Sequence, residues 1–402
     1  MLTGKTIVLG VTGSIAAYKA AEIASKLTQA GAGVRVVMTE SATKFITPLT
    51  LRAITGRPVV TSMWELESEF SIEHVSLAEA ADAVLIAPAT ANIIAHIAAG
   101  MADDMLSCTI LATKAPVILA PAMNVNMYEN PATQQNIARL KERGFTFVGP
   151  ETGHLACGDE GKGRLAATEE IIGALSRALA EKKDLAGKTI VVTAGGTREP
   201  LDPVRYIGNR SSGKMGFALA QAARDRGASV RLVTAAPPLG DMADIEVVEV
   251  ATALEMKAAV EKAVKGADAL IMAAAVADFM PRQPSAQKIK KSAELDIKLV
   301  KTPDILSEVS GDFIKVGFAA ESQNLVASAS AKLKAKKLDL IIANDITDKD
   351  SGFGADTNRV TIIDKQGNIE QLPLLSKREV AERVLDRVGE GFLNTASGGI
   401  YG

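Results

Sequence analysis

Cysteine, histidine and aromatic residues are scarce in this chain of 402 residues. The two cysteines, Cys108 and Cys157, cannot form a disulfide framework, and their positions do not match a zinc-type spacing. The three histidines, His74, His96 and His154, show no His/Cys/Asp spacing that suggests a metal cage. Because so few cysteines suit a reducing compartment, we predict a cytoplasmic protein.

Strong charge and long apolar runs are also missing. The formal net charge of −2 gives no reason to expect attraction to nucleic acid or to an anionic membrane. The most apolar stretches, near 83–100 and 267–277, are short or interrupted by polar residues and Pro88, so no membrane span is predicted. The N-terminus lacks a signal-peptide pattern. A length of 402 residues suits two globular domains.

The sequence contains one pentapeptide twice, each time at the start of an apolar run. The pentapeptide G-K-T-I-V occurs at Gly4–Val8 and again at Gly187–Val191. Each copy starts a β-branched run typical of a buried parallel strand, followed by a turn, an alanine-rich helix and a second strand. We therefore predict two α/β domains, each a mainly parallel sheet flanked by helices with a ligand crevice at the carboxyl ends of its strands. The turns differ, which predicts different ligands.

The pattern of apolar runs places the elements and the domain boundary. We place the boundary near 184–187, which gives domains over 1–184 and 185–402. In the first domain we predict strands at 5–10, 34–38, 83–87, 117–120 and 145–148, helices at 14–30 and 168–180, and a loop over 152–164. In the second we predict strands at 189–193, 229–233, 246–248, 269–274, 314–318, 339–343 and 360–363, a helix over 213–225, loops over 195–212 and 281–291, and a mobile tail over 389–402.

Two turns of the first domain follow predicted strands. In G-V-T-G-S-I-A-A-Y-K, Gly13 permits a tight turn and Ser14 can cap the helix, so the exposed amides favour a phosphate. In A-P-A-T-A-N, Thr90 and Asn92 offer side-chain hydrogen bonds at a position where open α/β sheets bind ligands. Either turn is also explained by ordinary helix capping.

Other polar groups of the first domain are candidates for chemistry. Asn124, in P-A-M-N-V-N-M-Y, can bind a carboxylate without adding a like charge. Cys157 lies in a glycine-rich loop, where it is either an acid or nucleophile, or an incidental free thiol. His74 is either a base or a capping residue. Cys108 is interpreted as core and His96 as structural.

The second domain contains a near match to a phosphate loop. In G-N-R-S-S-G-K-M-G, Met215 occupies the Ser/Thr position, so the Mg²⁺-binding hydroxyl is missing and we reject a P-loop. The turn at Gly213 still suits either a helix N-terminus facing an anion or a capped helix with close packing at Gly216. The run K-I-K-K at 288–291 suits a triphosphate site, or else a solvated face. The small residues of 273–279 allow close approach of a flat ligand, or else tight packing.

Four motifs in order resemble the flavin-dependent cysteine decarboxylase family, in particular its phosphopantothenoylcysteine decarboxylase branch: G-S-I-A-A-Y-K, A-P-A-T-A-N, P-A-M-N-x-x-M-Y and A-C-G-D-E-G-x-G-R. The resemblance implies a flavodoxin-like domain, with His74 as active-site base, Asn124 on the substrate carboxylate and Cys157 protonating the enethiolate. Tyr128 stands where tryptophan is common in relatives. The residues implied to hold FMN are Gly13, Ser14, Ile15, Thr39, Pro88, Ala89, Thr90 and Asn92.

Six blocks of the second domain resemble phosphopantothenate–cysteine ligases: T-A-G-G-T-R-E-P-L-D-P-V-R, G-N-R-S-S-G-K-M-G, A-A-V-A-D-F, K-I-K-K, T-P-D-I-L and V-G-F-A-A-E. The resemblance implies that Asn209 and Arg205 hold an acyl-cytidylate, that Lys288 stabilises charge, and that Mg²⁺ accompanies CTP with Asp278 or Asp304 as ligand. The residues implied to contact CTP are Met272, Ala273, Ala274, Asp278, Lys288, Pro303, Asp304, Ile305, Leu306, Phe318, Lys332 and Lys336.

The order of the two regions is that of bifunctional bacterial enzymes of coenzyme A biosynthesis. This resemblance implies that cysteine is ligated to 4'-phosphopantothenate with CTP, and that the product is decarboxylated to 4'-phosphopantetheine with FMN. It also implies a homo-oligomer of trimeric flavin domains and dimeric ligase domains, hence a dodecamer.

Two alternatives are less well supported. An inactive flavin-binding regulatory protein would not need His74, Asn124, Cys157 and Lys288 together. A nicotinamide dehydrogenase would need the G-x-G-x-x-G fingerprint, which neither turn has.

Overall fold

The computed structural model describes residues 2–64, 73–155, 158–180, 182–290, 295–321, 324–345 and 354–397. Within it the chain divides into two units, Met1–Ala180 and Glu181–Gly402. Among the described residues, no helix is long and apolar enough to cross a membrane.

The first unit is built on a six-stranded parallel sheet with the strand order β3-β2-β1-β4-β5-β6. Without the two-residue edge strand β3, this is the order of flavodoxin-like folds. The strands are β1 Thr6–Val11, β2 Gly33–Met38, β3 Val59–Val60, β4 Ala83–Ala89, β5 Val117–Pro121, β6 Thr146–Phe147, β7 Glu151–His154 and β8 Glu160–Arg164. The helices are α1 Lys19–Gln29, α2 Pro48–Thr55, α3 Glu73–Ala80, α4 Ala91–Ala99, α5 Met105–Ala112, α6 Val125–Glu129, α7 Pro131–Glu142 and α8 Thr168–Ala178, with 3-10 turns at Ile15–Tyr18 and Ala42–Lys44.

Burial explains why the central strands form. Every residue of β4 is buried, as is every residue of β1 after Thr6, because helices cover both faces of the sheet. Strand β1 lies between β2 and β4. The strands that follow it in the chain are added first on one side, as β2 and β3, and then on the other side, from β4 onwards. This reversal opens a crevice at the carboxyl ends of β1 and β4.

The predicted loop over 152–164 was wrong: it is an antiparallel hairpin of β7 and β8. Two of its glycines, Gly161 and Gly163, are required by close packing. A Cβ on Gly163 would lie 2.2 Å from the carbonyl oxygen of Met123, and one on Gly161 would lie 2.8 Å from Val125. These two glycines therefore reflect a strand pressed against its neighbour, whereas Gly158, with φ 89°, has an open position in the turn.

The second unit contains an eight-stranded sheet with the order β13-β12-β9-β14-β17-β18-β20-β21, parallel as far as β18 and antiparallel beyond it. The strands are β9 Thr189–Ala194, β10 Arg198–Pro200, β11 Tyr206–Gly208, β12 Ser229–Thr234, β13 Ile245–Glu249, β14 Ala269–Met272, β15 Phe279–Pro281, β16 Leu299–Lys301, β17 Ile314–Glu321, β18 Leu340–Asp345, β19 Thr357–Asn358, β20 Val360–Asp364, β21 Ile369–Gln371 and β22 Leu375–Ser376. The helices are α9 Lys214–Asp225, α10 Ala253–Ala263, α11 Ile305–Glu308, α12 Leu325–Ala335 and α13 Lys377–Ser397. The predicted fold class, two mainly parallel α/β sheets flanked by helices, is confirmed.

Two segments of this unit differ from the prediction. The predicted loop over 195–212 contains the hairpin of β10 and β11. Residues 389–397, predicted to begin a mobile tail, are instead the last turns of α13, and 398–402 lie outside the described residues. The helix is anchored by Val380, Val384 and Val388, which are fully buried.

The turn before α9 is shaped by close packing. Gly213 adopts φ 76°, and a Cβ on Gly216 would lie 2.6 Å from the carbonyl oxygen of Thr193 at the end of β9. The interpretation of Gly216 as a packing glycine is therefore correct. The packing also brings the start of α9 against the carboxyl end of β9.

Candidate active sites

Thr12 links the loops that follow β1 and β4. Its buried hydroxyl donates to the carbonyl oxygen of Pro88 (2.7 Å) and accepts from the backbone N–H of Thr90 (3.1 Å). No role was predicted for Thr12, because a hydrogen bond between residues 76 apart has no local signal in the sequence. The link fixes both edges of the crevice at the carboxyl end of the sheet.

The loop after β2 closes on the same crevice. A Cβ on Gly13 would lie 2.4 Å from the Cβ of Ser41, so only glycine fits there. Ser14 caps the following turn by accepting a hydrogen bond from Ala16 (3.2 Å). Thr39 donates its backbone N–H to Val11 at the end of β1 (3.0 Å). The structure therefore brings together three of the predicted FMN-binding loops.

The crevice has the chemical character that a flavin phosphate needs. Thr90 caps α4, so two helical segments begin at this edge and direct backbone amides towards it. Asn92 and Ile15 are exposed beside these helix starts. The side chain of Ile15 is 60% exposed and offers an apolar surface to a flat ring. The residues present fit FMN, although their individual contacts with it stay a prediction.

Asn124 is bound to the hairpin that precedes α8. Its Oδ1 accepts from Asn126 (2.8 Å), and its Nδ2 donates to Asp159 Oδ2 (2.9 Å). Met123 donates to the carbonyl oxygen of Gly163 in β8 (3.0 Å). Cys157 itself lies outside the described residues. The described residues around it are nevertheless tied to the segment that carries Asn124.

His74 is not joined to this arrangement by any hydrogen bond among the described residues. It lies half-buried near the start of α3, which packs against α5. Its predicted role as a base therefore stays a prediction. Cys108 is half-buried in α5, where burial raises the pKa of its thiol. His96 lies in α4 and its Nδ1 is 3.1 Å from Asp103 Oδ1.

The second unit contains a cavity of about 690 Å³ at the carboxyl end of its sheet. Strand β9 lies between β12 and β14, so this edge too is a point where the strand order reverses. Asn209 is part of the lining, whereas Lys288, Lys332 and Arg205 are not. The predicted CTP contacts that line it are Met272, Ala273, Ala274, Asp278, Pro303, Asp304, Ile305, Leu306, Phe318 and Lys336.

Side-chain hydrogen bonds hold the backbone of 274–277 across the cavity floor. Thr193 accepts from Ala274 (3.1 Å), and Thr197 accepts from Ala277 (2.9 Å). Asn209 donates to the carbonyl oxygen of Val276 (3.1 Å). Thr193 lies near the end of the buried strand β9 and Thr197 follows it, positions that could have marked them as site residues. The floor is therefore rigid backbone covered only by small side chains.

Asp304, one of the two predicted magnesium ligands, already has partners within the protein. Its carboxylate accepts from Lys336 Nζ (2.9 Å) and from the hydroxyl of Ser307 (2.9 Å). Burial raises the pKa of Asp304, but these hydrogen bonds outweigh it and the pKa lies below its usual range. Asp278 is exposed in the cavity lining. The described residues contain no group of three or more His, Cys, Asp or Glu that could hold a metal alone. Mg²⁺ held partly by nucleotide phosphates needs only one or two carboxylates, which these residues supply.

Comparison with known proteins covers both units. Residues 1–180 match the flavoprotein family, and residues 185–392 match the DNA/pantothenate metabolism flavoprotein C-terminal domain. The coenzyme A biosynthesis bifunctional protein CoaBC of Vibrio cholerae is 47% identical over 396 residues, covering 97% of this chain and 99% of the relative. The protein of the same name from Bacillus subtilis is 45% identical, covering 96% and 97%. The chain belongs to the family of bifunctional coenzyme A biosynthesis proteins.

Solved structures are similar to parts of the chain. The C-terminal domain of a coenzyme A biosynthesis bifunctional protein CoaBC is 36% identical, covering 53% of this chain and 100% of that chain, with a TM-score of 0.46. The FMN-dependent cysteine decarboxylase SpaF is 34% identical, covering 44% and 97%, with a TM-score of 0.40.

Membership confirms the predicted enzyme class. The protein is a bifunctional enzyme of coenzyme A biosynthesis, with phosphopantothenoylcysteine decarboxylase and phosphopantothenate–cysteine ligase activities. A regulatory flavoprotein and a nicotinamide dehydrogenase are the alternatives that this result disfavours.

The ligase cavity of the bifunctional enzyme also has a cationic wall that the sequence did not reveal. Lys214 and Lys377 both line it. Lys214 donates to Asp356 (2.7 Å), and Lys377, 9% exposed, donates to the carbonyl oxygen of Ala355. Burial lowers the pKa of Lys377, and the neighbouring charge of Lys214 lowers it further. Lys377 begins the last helix, so nothing in its local sequence relates it to Lys214.

Proposed function

We propose that the second unit joins L-cysteine to 4'-phosphopantothenate using CTP and Mg²⁺, and that the first unit converts the product to 4'-phosphopantetheine using FMN. We assign these steps to residues 185–402 and 1–184. The observation that carries the proposal is the 690 Å³ cavity, whose lining includes most of the predicted nucleotide contacts. A cavity of this size suits a small-molecule substrate site.

The ligation chemistry follows from the bond that is made. A carboxylate does not react with an amine until one of its oxygens becomes part of a leaving group. Attack of the 4'-phosphopantothenate carboxylate on the α-phosphate of CTP forms an acyl-cytidylate and releases pyrophosphate. The amine of cysteine then attacks the acyl carbon, forms the amide and displaces CMP. Asn209 and Arg205 would hold the acyl-cytidylate, and Lys288 would stabilise the negative charge that develops.

The decarboxylation needs an electron sink and a proton donor. When bound, FMN supplies the oxidation of the cysteine side chain and the later return of the electrons. Asn124 would hold the substrate carboxylate through its amide, and His74 would act as base. Cys157 would donate a proton to the enethiolate that remains after loss of CO₂.

The assembly and the cellular location are further parts of the proposal. Trimers of the flavin domain, dimers of the ligase domain and the resulting dodecamer follow from the family resemblance and stay predictions. The cytoplasmic location follows from the cysteine content and also stays a prediction.

Mass spectrometry of the reaction products tests the proposed function. The enzyme is mixed with 4'-phosphopantothenate, cysteine, CTP and Mg²⁺, and formation of 4'-phosphopantetheine, CMP and pyrophosphate is expected. Absence of pyrophosphate would favour an inactive regulatory protein. A protein without flavin absorbance that also fails to bind added FMN would contradict the decarboxylase assignment.

We predict that CTP supports ligation about 100-fold better than ATP, measured as kcat/KM from pyrophosphate release. Leu306 and Phe318 line the cavity and pack against the core of the unit, so the cavity cannot expand easily around a larger purine. Equal rates with both nucleotides would show that the base is not recognised.

We predict that Thr12→Val weakens FMN binding about tenfold and lowers the stability of the first unit by ~1–3 kcal/mol. Valine keeps the shape of the side chain but leaves the buried groups of Pro88 and Thr90 without their partner. Flavin fluorescence titration and thermal unfolding measure the two effects. Thr109→Val is the matched control, because its buried hydroxyl donates within α5, to the carbonyl oxygen of Met105 (2.7 Å). Normal FMN affinity in Thr12→Val would contradict the proposed crevice.

A further inference from the structure

The carboxylate of Asp202 occupies the centre of the tight loop between β10 and β11. Its side chain is fully buried. Oδ1 accepts the backbone N–H groups of Val204 and Arg205, each at 2.8 Å. Oδ2 accepts from Arg205 Nε (2.9 Å) and Nη2 (2.5 Å). One oxygen of the carboxylate therefore shapes the loop, and the other fixes the guanidinium of Arg205.

The same oxygen also reaches a distant segment of the chain. Ile289 donates its backbone N–H to Asp202 Oδ2 (3.1 Å), and its carbonyl oxygen accepts from Arg205 Nη2 (2.8 Å). A third bond joins Ser285 N–H to the carbonyl oxygen of Leu201 (2.8 Å). Both backbone groups of Ile289 are thus held by one ion pair, 87 residues away in sequence from Asp202.

Ile289 directly follows Lys288, and the described part of this segment from Arg282 to Lys290 contains no helix or strand. Regular hydrogen bonding therefore does not fix the position of Lys288. The bonds from Asp202 and Arg205 join the next residue, Ile289, to a distant loop, whereas Gln287, directly before Lys288, is hydrogen-bonded to nearby Ser285. The Arg205 guanidinium holds the pKa of Asp202 well below its usual range, so the carboxylate stays ionised at neutral pH.

We propose that Asp202 is a positioning residue of the ligase: by holding Ile289 and Arg205, it fixes the place from which Lys288 stabilises charge during acyl-cytidylate formation. This inference rests on the proposed function of Lys288. It gives Asp202 a role in ligation without contact to substrate. It also gives the Arg205 guanidinium a partner within the protein in addition to its proposed ligand.

The substitution Asp202→Asn separates this role from a simple role in the turn. An amide oxygen can still accept from Val204 and Arg205, so the loop can keep its shape. The amide nitrogen would then face the N–H of Ile289 and the guanidinium of Arg205, where donors meet donors. The variant should therefore release the Lys288 segment while the unit stays folded.

The expected result is a fall in ligation kcat of about 100-fold, the cost of a small misplacement of a catalytic group. The KM for CTP should change little, and hydrogen exchange of the Ile289 amide should speed up. Decarboxylation of supplied phosphopantothenoylcysteine, catalysed by the same chain, should be unchanged. The double variant Asp202→Asn/Lys288→Gln should lose less than the product of the two single losses, because part of the Asp202→Asn loss is the displacement of a lysine that is already absent.

Asp225→Asn is the control for loss of a buried carboxylate. Asp225 is 1% exposed and pairs with Arg224 and Arg378, and it does not line the cavity. This variant should lower thermal stability without speeding exchange at Ile289. A ligation defect and faster Ile289 exchange in Asp225→Asn equal to those in Asp202→Asn would overturn the proposal.

The remaining outcomes distinguish this proposal from the proposed function. Normal kcat in Asp202→Asn, with a defective Lys288→Gln, would overturn positioning while leaving the role of Lys288 intact. Losses that multiply in the double variant would also overturn it, since the two residues would then act separately. Normal ligation by Lys288→Gln would overturn the role of Lys288 and the positioning role with it.

Discussion

Replacing Cys157 by serine is expected to stop the decarboxylase after loss of CO₂, while ligation continues. A hydroxyl is a much weaker acid than a thiol, so protonation of the enethiolate should slow by about 10²- to 10⁴-fold, the usual contribution of a general acid. Mass spectrometry should show an accumulated enethiol that lacks two hydrogens relative to 4'-phosphopantetheine. Pyrophosphate release from CTP in the same preparation measures the intact ligase.

Cys108→Ser is the matched control for this result. Cys108 lies in α5, bonded to the carbonyl oxygen of Ala102 (3.4 Å), a contact that serine can also make. We expect normal decarboxylation in this variant. Accumulation of the enethiol in Cys108→Ser, or complete turnover in Cys157→Ser, would contradict the assignment of Cys157 as the acid.

The central strands could be predicted because burial on both faces leaves a direct signal in sequence. The runs 7–11 and 190–194 are buried throughout and apolar except for Gly10 and Thr193, and the two copies of G-K-T-I-V mark equivalent strands β1 and β9. Turn residues after those strands also indicated which edge of each sheet binds ligand. Gly13 and Ser14 are examples, since each has a local geometric reason for its identity.

Glycine misled the prediction where it served packing rather than flexibility. Gly161 and Gly163 belong to β8, and Gly391 lies within α13, where a Cβ would be 2.7 Å from Ile314. Glycine normally costs about 1 kcal/mol within a helix, so a tail was the natural interpretation of Gly389 onwards. The buried valines of α13, spaced four apart, carried the contrary signal.

Contacts between residues far apart in the chain could not be predicted from the sequence. Thr12 with Pro88, Lys214 with Asp356, and Asp202 with Ile289 each join segments more than 70 residues apart. No periodicity or motif relates such pairs, because their meeting depends on the order of strands in the sheet. The motifs therefore predicted which loops form each site, and the fold determined how those loops are held.

Replacing Lys288 by glutamine is expected to suppress acyl-cytidylate formation while decarboxylation continues. Glutamine keeps much of the side-chain length but removes a positive charge from a site that handles a triphosphate. Loss of one group that stabilises developing charge typically lowers kcat by about 10²- to 10³-fold. Quenched-flow detection of the acyl-cytidylate, with CTP and 4'-phosphopantothenate but no cysteine, isolates the step that should fail.

Lys298→Gln tests whether the effect belongs to Lys288 or to positive charge on this part of the surface. Lys298 is exposed, and its carbonyl oxygen accepts from Arg282 at the start of the segment that carries Lys288 (2.9 Å). Neither lysine lines the cavity, but Lys298 has no proposed role in the reaction, so this variant should form the acyl-cytidylate at the normal rate. Equal losses in both variants would mean that long-range attraction of CTP explains the defect, and raising the salt concentration should then reduce the wild-type rate as well. The two sites use different ligands, so defects in one should not affect the other. A folded Lys288→Gln enzyme that lost both ligation and decarboxylation would therefore refute the assignment of the two reactions to separate sites.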